Sequence, residues 1–303
     1  RQRQMCIRDS RDLYEIYCEA MPRYPLAYER FRDILHKDNS QIFTAEDSKT
    51  IIGFIVVNSN FVVILCVKKE YRHSGYGKHL LIMAEGFISA NYDEVILGGG
   101  GLLQGVPCDN DEESSVPFFE KRGYSADFTS VNMGLELNEK AVEKLKEIPR
   151  PNGVTYRFAD DNDREKLLAA VKDAQADWLP IFEENKDAPV LLAVCGDEIA
   201  GFEMVEEYGG MFFSDNEKHG MIGCVGVTHK YRRRGIGLAM TAEGSLSLYE
   251  KNCKDIQLLY VERVAWYNKL GYEVTSRQWM GRKKIQDIIC LLYTSDAADD
   301  LIG

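Results

Sequence analysis

The sequence predicts two tandem domains of the α/β class, the second a copy of the first. Three observations carry this. Landmarks recur in one order: Ile52-Gly53-Phe54 returns as Ala200-Gly201-Phe202, and Phe118-Phe119-Glu120-Lys121-Arg122-Gly123-Tyr124 as Trp266-Tyr267-Asn268-Lys269-Leu270-Gly271-Tyr272, both 148 residues on. The pattern R-x-x-G-x-G occurs twice, at Arg72-His73-Ser74-Gly75-Tyr76-Gly77 and at Arg232-Arg233-Arg234-Gly235-Ile236-Gly237. Each copy follows an apolar β-type run and opens an amphipathic helical pattern. Strand-like and helix-like runs alternate in both halves, and a repeat this long means two domains rather than a solenoid.

In the first copy, helices are expected at Asp12–Glu19 and Leu26–Leu35. Strands follow at Gln41–Ala45, Ile51–Asn58 and Phe61–Val67, the last two joined as a hairpin through Asn58-Ser59-Asn60. After the first glycine turn, Leu80, Ala84, Phe87 and Ile88 fall on one helical face. A strand at Val95–Leu97, a helix at Val116–Lys121, and strands near Tyr124 and at Val131–Leu137 complete the copy. A connecting helix, Asn138–Glu147, runs into Pro149-Arg150-Pro151-Asn152-Gly153, which sets the boundary.

The second copy begins with a strand at Val154–Phe158, and Asp160-Asp161-Asn162-Asp163 caps a helix through Val171. A short helix near Trp178–Glu183 precedes strands Val190–Cys195, Ile199–Val205 and Met221–Val227. Helix Gly237–Lys251, strand Ile256–Tyr260, helix Arg263–Leu270 and strands around Tyr272 and at Arg277–Gly281 follow. The first copy has no counterpart of Val154–Phe158, and truncation is the expected cause. Two segments differ in length. The second copy has 12 extra residues before its R-x-x-G-x-G turn, and the first has 12 extra after its own.

The two ends read as non-native. Cys290–Asp299 is CLLYTSDAAD, and the reverse complement of one back-translation encodes RQRQMCIRD, which is Arg1–Asp9. Both tails are thus expected to be translations of one sequencing-adapter element, 1–10 and 290–303. The two domains are taken as 11–148 and 149–289, with the start of the first domain missing.

The net charge of −11 argues against nucleic acid or an anionic membrane as main partner. No apolar stretch is long enough to span a bilayer. Outside the tails, Cys18, Cys66, Cys108, Cys195, Cys224 and Cys253 form no C-x-x-C pair, and they read as free thiols of a reducing cytoplasm. The His residues show no metal-ligand spacing, so no metal is expected.

The glycine turns carry the chemistry. Strand, glycine-rich turn and helix start together hold a pyrophosphate, because backbone N–H groups converge where the helix carries partial positive charge. Glycine lets the backbone approach phosphate without a Cβ. A Walker A loop is the poorer reading, since His79 follows Gly77-Lys78 and no Lys follows Gly237. A dinucleotide fingerprint needs a third Gly where Leu80 and Met240 stand. A tight turn with no ligand is the remaining alternative.

On these residues the chain resembles the GNAT superfamily of acyl-CoA-dependent N-acyltransferases, over both halves from Arg11 to Lys284 and in a tandem form. The R-x-x-G-x-G turns resemble the acyl-CoA pyrophosphate loop, and the aromatic-x-K-x-G-aromatic segments a later helix-to-strand element. The resemblance implies two mixed sheets, each splayed at one point and flanked by helices. It implies that acetyl-CoA binds as co-substrate through Arg232, Arg233, Arg234, Gly235, Ile236 and Gly237, and in the first copy through Arg72, His73, Ser74, Gly75, Tyr76 and Gly77. Strand Met221–Val227 would pair its backbone with the pantetheine arm near Val225 and Val227, and one N–H would polarise the thioester carbonyl.

The resemblance also implies that an acid serves the leaving thiolate four residues before the late Gly. That position is Tyr267 in the second copy and Phe119 in the first. A phenol can lend its proton to a thiolate, whereas Phe has none. Tyr267 is otherwise a packed aromatic on an amphipathic helix. The base is open among Glu203, Glu206, Glu207 and Glu262, with Glu203 preferred. Glu206–Gly220 reads as an acceptor flap or an inter-domain contact. The acidic loop from Gly98 to Val116 reads as functional or simply solvated.

The expected function is N-acetyl transfer from acetyl-CoA to an amine of a small molecule or peptide, catalysed mainly by the second copy. The alternative is a CoA-binding scaffold or sensor without turnover. A longer acyl or aminoacyl donor also remains open.

Overall fold

Ile51–Val57 and Phe61–Val67 are nearly continuous runs of β-branched and aromatic residues. They form the central hairpin of the first half, with Ser59 at the turn in the left-handed region (φ 56°). The computed structural model describes residues 7–99, 102–109, 114–207 and 217–285. In chain order the first repeat gives α1 (Ile7–Ala20), α2 (Tyr28–Leu35), β1 (Ser40–Asp47), β2 (Thr50–Asn58), β3 (Phe61–Val67), α3 (Tyr76–Ile88), β4 (Glu94–Leu97), β5 (Val106–Pro107), α4 (Val116–Glu120), β6 (Thr129–Glu136) and α5 (Glu139–Glu147). The second gives β7 (Thr155–Phe158), α6 (Arg164–Gln175), α7 (Leu179–Glu184), β8 (Val190–Cys195), β9 (Glu198–Glu207), β10 (Lys218–Val227), α8 (Ile236–Glu250), β11 (Cys253–Leu258), α9 (Val264–Tyr267), β12 (Glu273–Trp279) and β13 (Arg282–Lys284).

Packing divides the described residues differently from the repeat. One compact unit holds 7–130 with 276–285, the other 131–207 with 217–275. Each unit therefore includes a strand from the other repeat, β13 in the first and β6 in the second. In the first unit the strand order is β1-β2-β3-β4-β13, with β3 and β4 parallel and the other pairs antiparallel. In the second it is β7-β8-β9-β10-β11-β6-β12, with β10 and β11 parallel. Both sheets are mixed and flanked by helices. Among the described residues the first sheet has no strand in the place of β7. Helix α5, read from sequence as the end of the first domain, packs with the second unit, where Ala141 and Leu145 join the core around Met240 and Tyr272. The sequence repeat fixes the order of elements. The apolar faces of β6, α5 and β13 decide which core they close.

In the second unit, α8 lies over one sheet face on Ala200, Val205, Ile222 and Ile256. Helices α6 and α7 cover β8 and β9 on the other, on Leu192, Phe202 and Met204. The first unit has the same two layers, with α1 and α2 over Phe54 and Ile64 and α3 over Ile55 and Val57. Several helices start where the sequence places caps. Asn138 accepts the Ala141 N–H at the start of α5, and Asp160 and Asp163 form a capping box ahead of α6.

Helix α1 begins at Ile7 rather than Asp12, so it runs into the segment read as adapter-derived, and Ser10 is buried there. The rest of that segment and residues 290–303 lie outside the described residues. Strands β5 and β13 were not anticipated, being too short to show a period.

Candidate active site

The two R-x-x-G-x-G turns have one backbone. His73 and Gly75 sit at φ 63° and 87°, and Arg233 and Gly235 at 62° and 79°. Gly75 and Gly235 are the N-cap residues of α3 and α8, and no side chain caps either helix. The first-turn N–H groups after each glycine thus lack a side-chain cap, and the alternating left-handed residues give the turn the concave shape of a backbone nest. At Gly235 an added Cβ would meet nothing nearer than 3.8 Å, so the glycine is required by φ, not by space. This cradle fits a pyrophosphate.

The arginines divide their work. Arg72 Nε donates to Val67 O and Arg232 Nε to Val227 O, both at 3.0 Å, and Arg232 Nη2 also donates to Ala174 O at 2.9 Å. These arginines brace the turn on the strand before it. Arg234 lies over the Tyr231 ring, 5.3 Å from its centroid. Arg233, Ser74 and His73 are exposed at the turns, and Ile236 is buried beneath its own. Tyr76 and Gly77 are half-buried, and Phe118 lies 3.5 Å from where a Gly77 Cβ would be; Trp266 covers Gly237 in the same way at 3.4 Å.

Both sheets are splayed where the parallel strands meet. Strand β10 pairs with β11 only from Lys218 to Met221, leaving the edge from Ile222 to Val227, with Val225 and Val227, unpaired on that side. Strand β3 pairs with β4 only at Phe61 and Val62. The two edges then differ. In β10, Cys224 and Val225 form a bulge between the Gly223–Met204 and Gly226–Phe202 pairs, with Cys224 at φ 50°. β3 is bulged one pair away, at Val63 between the Val62–Val57 and Ile64–Val56 pairs, so that Leu65 lies in register opposite Ile55 where Glu203 faces the bulge of β10. In the first unit the gap is also filled. Leu102 and Leu103, from the longer loop after α3, are buried against Tyr17, Val63 and Cys66, and a cavity of about 80 Å³ remains. Gln278 holds this loop by accepting the Gln104 N–H at 2.7 Å and the Gly105 N–H at 3.1 Å. Asp109, in the same loop, pairs with Arg23 at 3.0 Å. Of the acids expected there, Asp111, Glu112 and Glu113 lie outside the described residues, as do 208–216 of the second copy's insertion.

The residue opposite the β10 bulge is Glu203. It is fully buried on the α8 side of β9, and its Oε2 accepts from Thr241 Oγ1 at 2.8 Å. Its Oε1 has no partner, and a Cβ on Gly244 would sit 2.2 Å from that atom, so only glycine leaves room for the carboxyl. Burial raises Glu203 to about 8, against which the Thr241 bond pulls weakly. At neutral pH it is thus an un-ionised acid beneath α8, which does not suit the base expected of it. For an acid raised on folding, stability is complete below the unfolded value and falls as pH rises toward the folded one. Unfolding midpoints are therefore expected to fall from pH near ~4.3 to about 8, and Glu203→Gln to flatten that decline in thermal melts across pH.

Tyr267 is half-buried against the core on the α8 side of the sheet. Burial first, then Glu203, raise its hydroxyl above the ordinary tyrosine range, and Cys224 contributes the same way. Its ring lies 6.0 Å from that of Tyr272, whose hydroxyl shares a 2.8 Å hydrogen bond with Ser245. Of the other acids, Glu207 is tied to Lys218 and Lys251, each at 3.1 Å. Glu262 is exposed. Glu206 is half-buried and raised by burial, beside Cys224 on the α6 side of the sheet. The Cys224 thiol is pushed to about 11 by burial and then by Glu206, which keeps it protonated. All six cysteines of the described residues are free. Among those residues no helix is long and apolar enough to cross a membrane, and no cluster of three His, Cys, Asp or Glu has metal-binding geometry.

Thr241, Gly244 and Ser245 escaped the sequence reading. Their signal was present: three small residues at i, i+3 and i+4, Thr241, Gly244 and Ser245, share one buried face of α8 with two hydroxyls on it.

Residues 38–126 match the profile of the acetyltransferase (GNAT) domain family. The backbone matches GNAT structures along nearly its whole length. It is a tandem GNAT-fold protein. A GCN5-related N-acetyltransferase from Sphaerobacter thermophilus shares 21% identity over 93% of this chain and 95% of its own, with a TM-score of 0.70. A tandem GNAT protein from the clavulanic acid biosynthesis pathway shares 14% over 91% of this chain and 94% of its own, at 0.63. A GCN5-related glucosamine N-acetyltransferase region of a fungal multi-domain GH3 β-N-acetylglucosaminidase shares 18% over 91% of this chain, at 0.73. This chain spans only 37% of that multi-domain protein. No curated protein matches the sequence. Within the GNAT fold, β10 and α8 are the strand and helix on either side of the glycine turn, and the β10–β11 gap is the splay.

Proposed function

We propose that the second unit moves an acetyl group from acetyl-CoA to an amine of a small molecule or peptide, and that the first unit is a non-catalytic companion. The observation that carries this is the contrast between the two gaps. The second pairs its glycine turn with an unpaired, bulged strand edge and a tyrosine. The first pairs an equal turn with two buried leucines in the gap and with Phe119.

In this reading the Gly235–Gly237 turn and Arg233 hold the pyrophosphate, while Arg232 braces the turn. The free edge at Val225 and Val227 binds the pantetheine arm by backbone hydrogen bonds. Acetyl-CoA supplies the thioester. Tyr267 presents its hydroxyl to the sulfur as the bond from the amine nitrogen to the acyl carbon forms. An N–H of the bulge, turned out of the ladder, polarises the thioester carbonyl. Glu206 lies on the face opposite α8, and it is the better placed of the acids to receive the amine's proton.

Calorimetric titration of acetyl-CoA tests the division of labour. One site per chain is expected. Gly237→Val, whose side chain would press on Val227 at 3.2 Å and Trp266 at 3.4 Å, is expected to abolish the heat without unfolding the protein, whereas Gly77→Val leaves it unchanged. Two sites per chain would show that the first unit binds as well. No heat from folded protein would favour another acyl donor or a scaffold.

A further inference from the structure

Strand β10 carries three glycines, Gly220, Gly223 and Gly226, although β-branched residues suit a strand better. Packing requires two of them. A Cβ on Gly220 would lie 2.7 Å from Leu248 of α8, and one on Gly226 would lie 2.3 Å from the Phe202 ring. Gly223 is different. Its φ is not left-handed, and it pairs in register with Met204, so the bulge that follows does not demand it. Among the described residues no atom comes within 4 Å of where its Cβ would stand. A glycine inside a strand weakens it, and where no bulge or bend calls for one it marks a place that another molecule approaches closely.

The same place in the first unit is filled. Met204 matches Val56 in the repeat, and the residue opposite Val56 is Ile64. Ile64 and the bulged Val63 are both buried there, in one cluster with Leu102 and Leu103. Residues directly opposite in a ladder share a face. Gly223 thus faces with Met204 toward the side of the sheet that α6 and α7 cover. One unit packs four apolar side chains where the other has a glycine.

Gly223 also lies near the closed end of the gap. Pairing of β10 with β11 ends at Met221, and the glycine turn follows Val227 at the open end. A cofactor held by its pyrophosphate at that turn, with its arm along the free edge, brings its thioester toward Gly223. Glu206 stands on the same face, opposite Met221 and one residue pair from Gly223. The nearby lysines, Lys218 and Lys251, are both tied to Glu207. Glu206 has no cation partner among the described residues.

We infer that Gly223 determines acceptor specificity: the space left by its missing side chain receives the amine-bearing carbon of a primary alkyl amine, which Glu206 draws in as its cation. This rests on the acetyl-transfer reading above. An alkylammonium needs a carboxylate without a partner at one point and room for a carbon stem at the next, and Glu206 and Gly223 supply these side by side. An arylamine, uncharged at neutral pH, gains nothing from Glu206, so the site selects against it. In the first unit Ile64, Val63 and the two leucines leave no such room.

The test is Gly223→Ala and Gly223→Val in the full chain. Both side chains suit a strand, so both variants are expected to melt with the parent. The probes are spermidine, glucosamine, a lysine peptide and, as the arylamine, aniline, read as free-thiol release from acetyl-CoA. The parent is expected to use at least one of the first three and not aniline. For that amine, kcat/KM is expected to fall about tenfold in Gly223→Ala and about 100-fold in Gly223→Val, with the calorimetric affinity for acetyl-CoA unchanged. Glu206→Gln is expected to raise KM for the amine and leave that affinity alone. An unchanged kcat/KM in Gly223→Val would overturn the inference. So would a matching loss of acetyl-CoA affinity, which would make Gly223 a cofactor contact, or use of aniline as readily as the alkyl amines. If Gly223→Val does not fold, Gly223→Ala decides by the same readouts. Acetyl-CoA binding with no thiol release from any probe would instead sink the acetyl-transfer reading, and this inference with it.

Discussion

Replacing Tyr267 with Phe is expected to cut acetyl-CoA-dependent thiol release about 100-fold, at the lower end of what a positioned general acid contributes. The change removes one oxygen and leaves the ring packed against Trp266 and Tyr272, at 4.6 and 6.0 Å between centroids. Folding and cofactor affinity should therefore survive. Steady-state thiol release, read beside a calorimetric isotherm, separates the two effects. A loss confined to kcat supports an interaction made as the sulfur departs, whereas a matching loss of affinity would mean that Tyr267 only packs. The first unit already carries this substitution, because Phe119 stands at the matching position and is buried there. The reverse change, Phe119→Tyr, is expected to create no second active centre, since Leu102 and Leu103 still fill that gap.

Lys283→Ala is expected to destabilise the first unit by about 3–5 kcal/mol, the usual cost of stranding one partner of a buried ion pair. The Lys283 and Glu85 side chains are only 3% and 8% exposed, so the lost charge is not replaced by solvent. Differential scanning calorimetry should show the corresponding transition fall by roughly 10 °C. The double variant Glu85→Gln with Lys283→Met is expected to recover most of the loss. It buries no charge and still leaves Tyr124 an acceptor. A single variant with no shift would mean that β13 is held by its backbone ladder alone. The pair also selects which strand closes which sheet. Lys283 finds an acid only beneath α3, whereas Leu135 of β6 suits the apolar floor beneath Gly271.

How far the site was legible depended on what each feature requires. The glycine turns were readable because left-handed backbone at Gly75 and Gly235 has a residue-type signature. Tyr267 was readable by its fixed spacing to Gly271, which a short helix and its left-handed cap enforce. The state of Glu203 was not, because it depends on Thr241 and Gly244, which reach it from a helix 38 or more residues away. The bulge at Cys224 was also hidden, since a register shift belongs to a strand pair rather than to either strand.

The sequence by itself determined the tandem order of elements, the two left-handed glycine turns and the lack of a hydroxyl at Phe119. These rest on local backbone preference and on periods of 2 and 3.6 residues, which need no distant partner. Only the tertiary structure decided that β6 and α5 close the second core and β13 the first. It alone decided that Leu102 and Leu103 fill one gap while β10 leaves β11 after Met221, and that among the described residues one buried carboxyl has a cation partner and the other not. Each of those outcomes follows from burial and charge pairing between residues far apart in the chain, where a side chain's protonation and its core are set by its neighbours and not by its own identity.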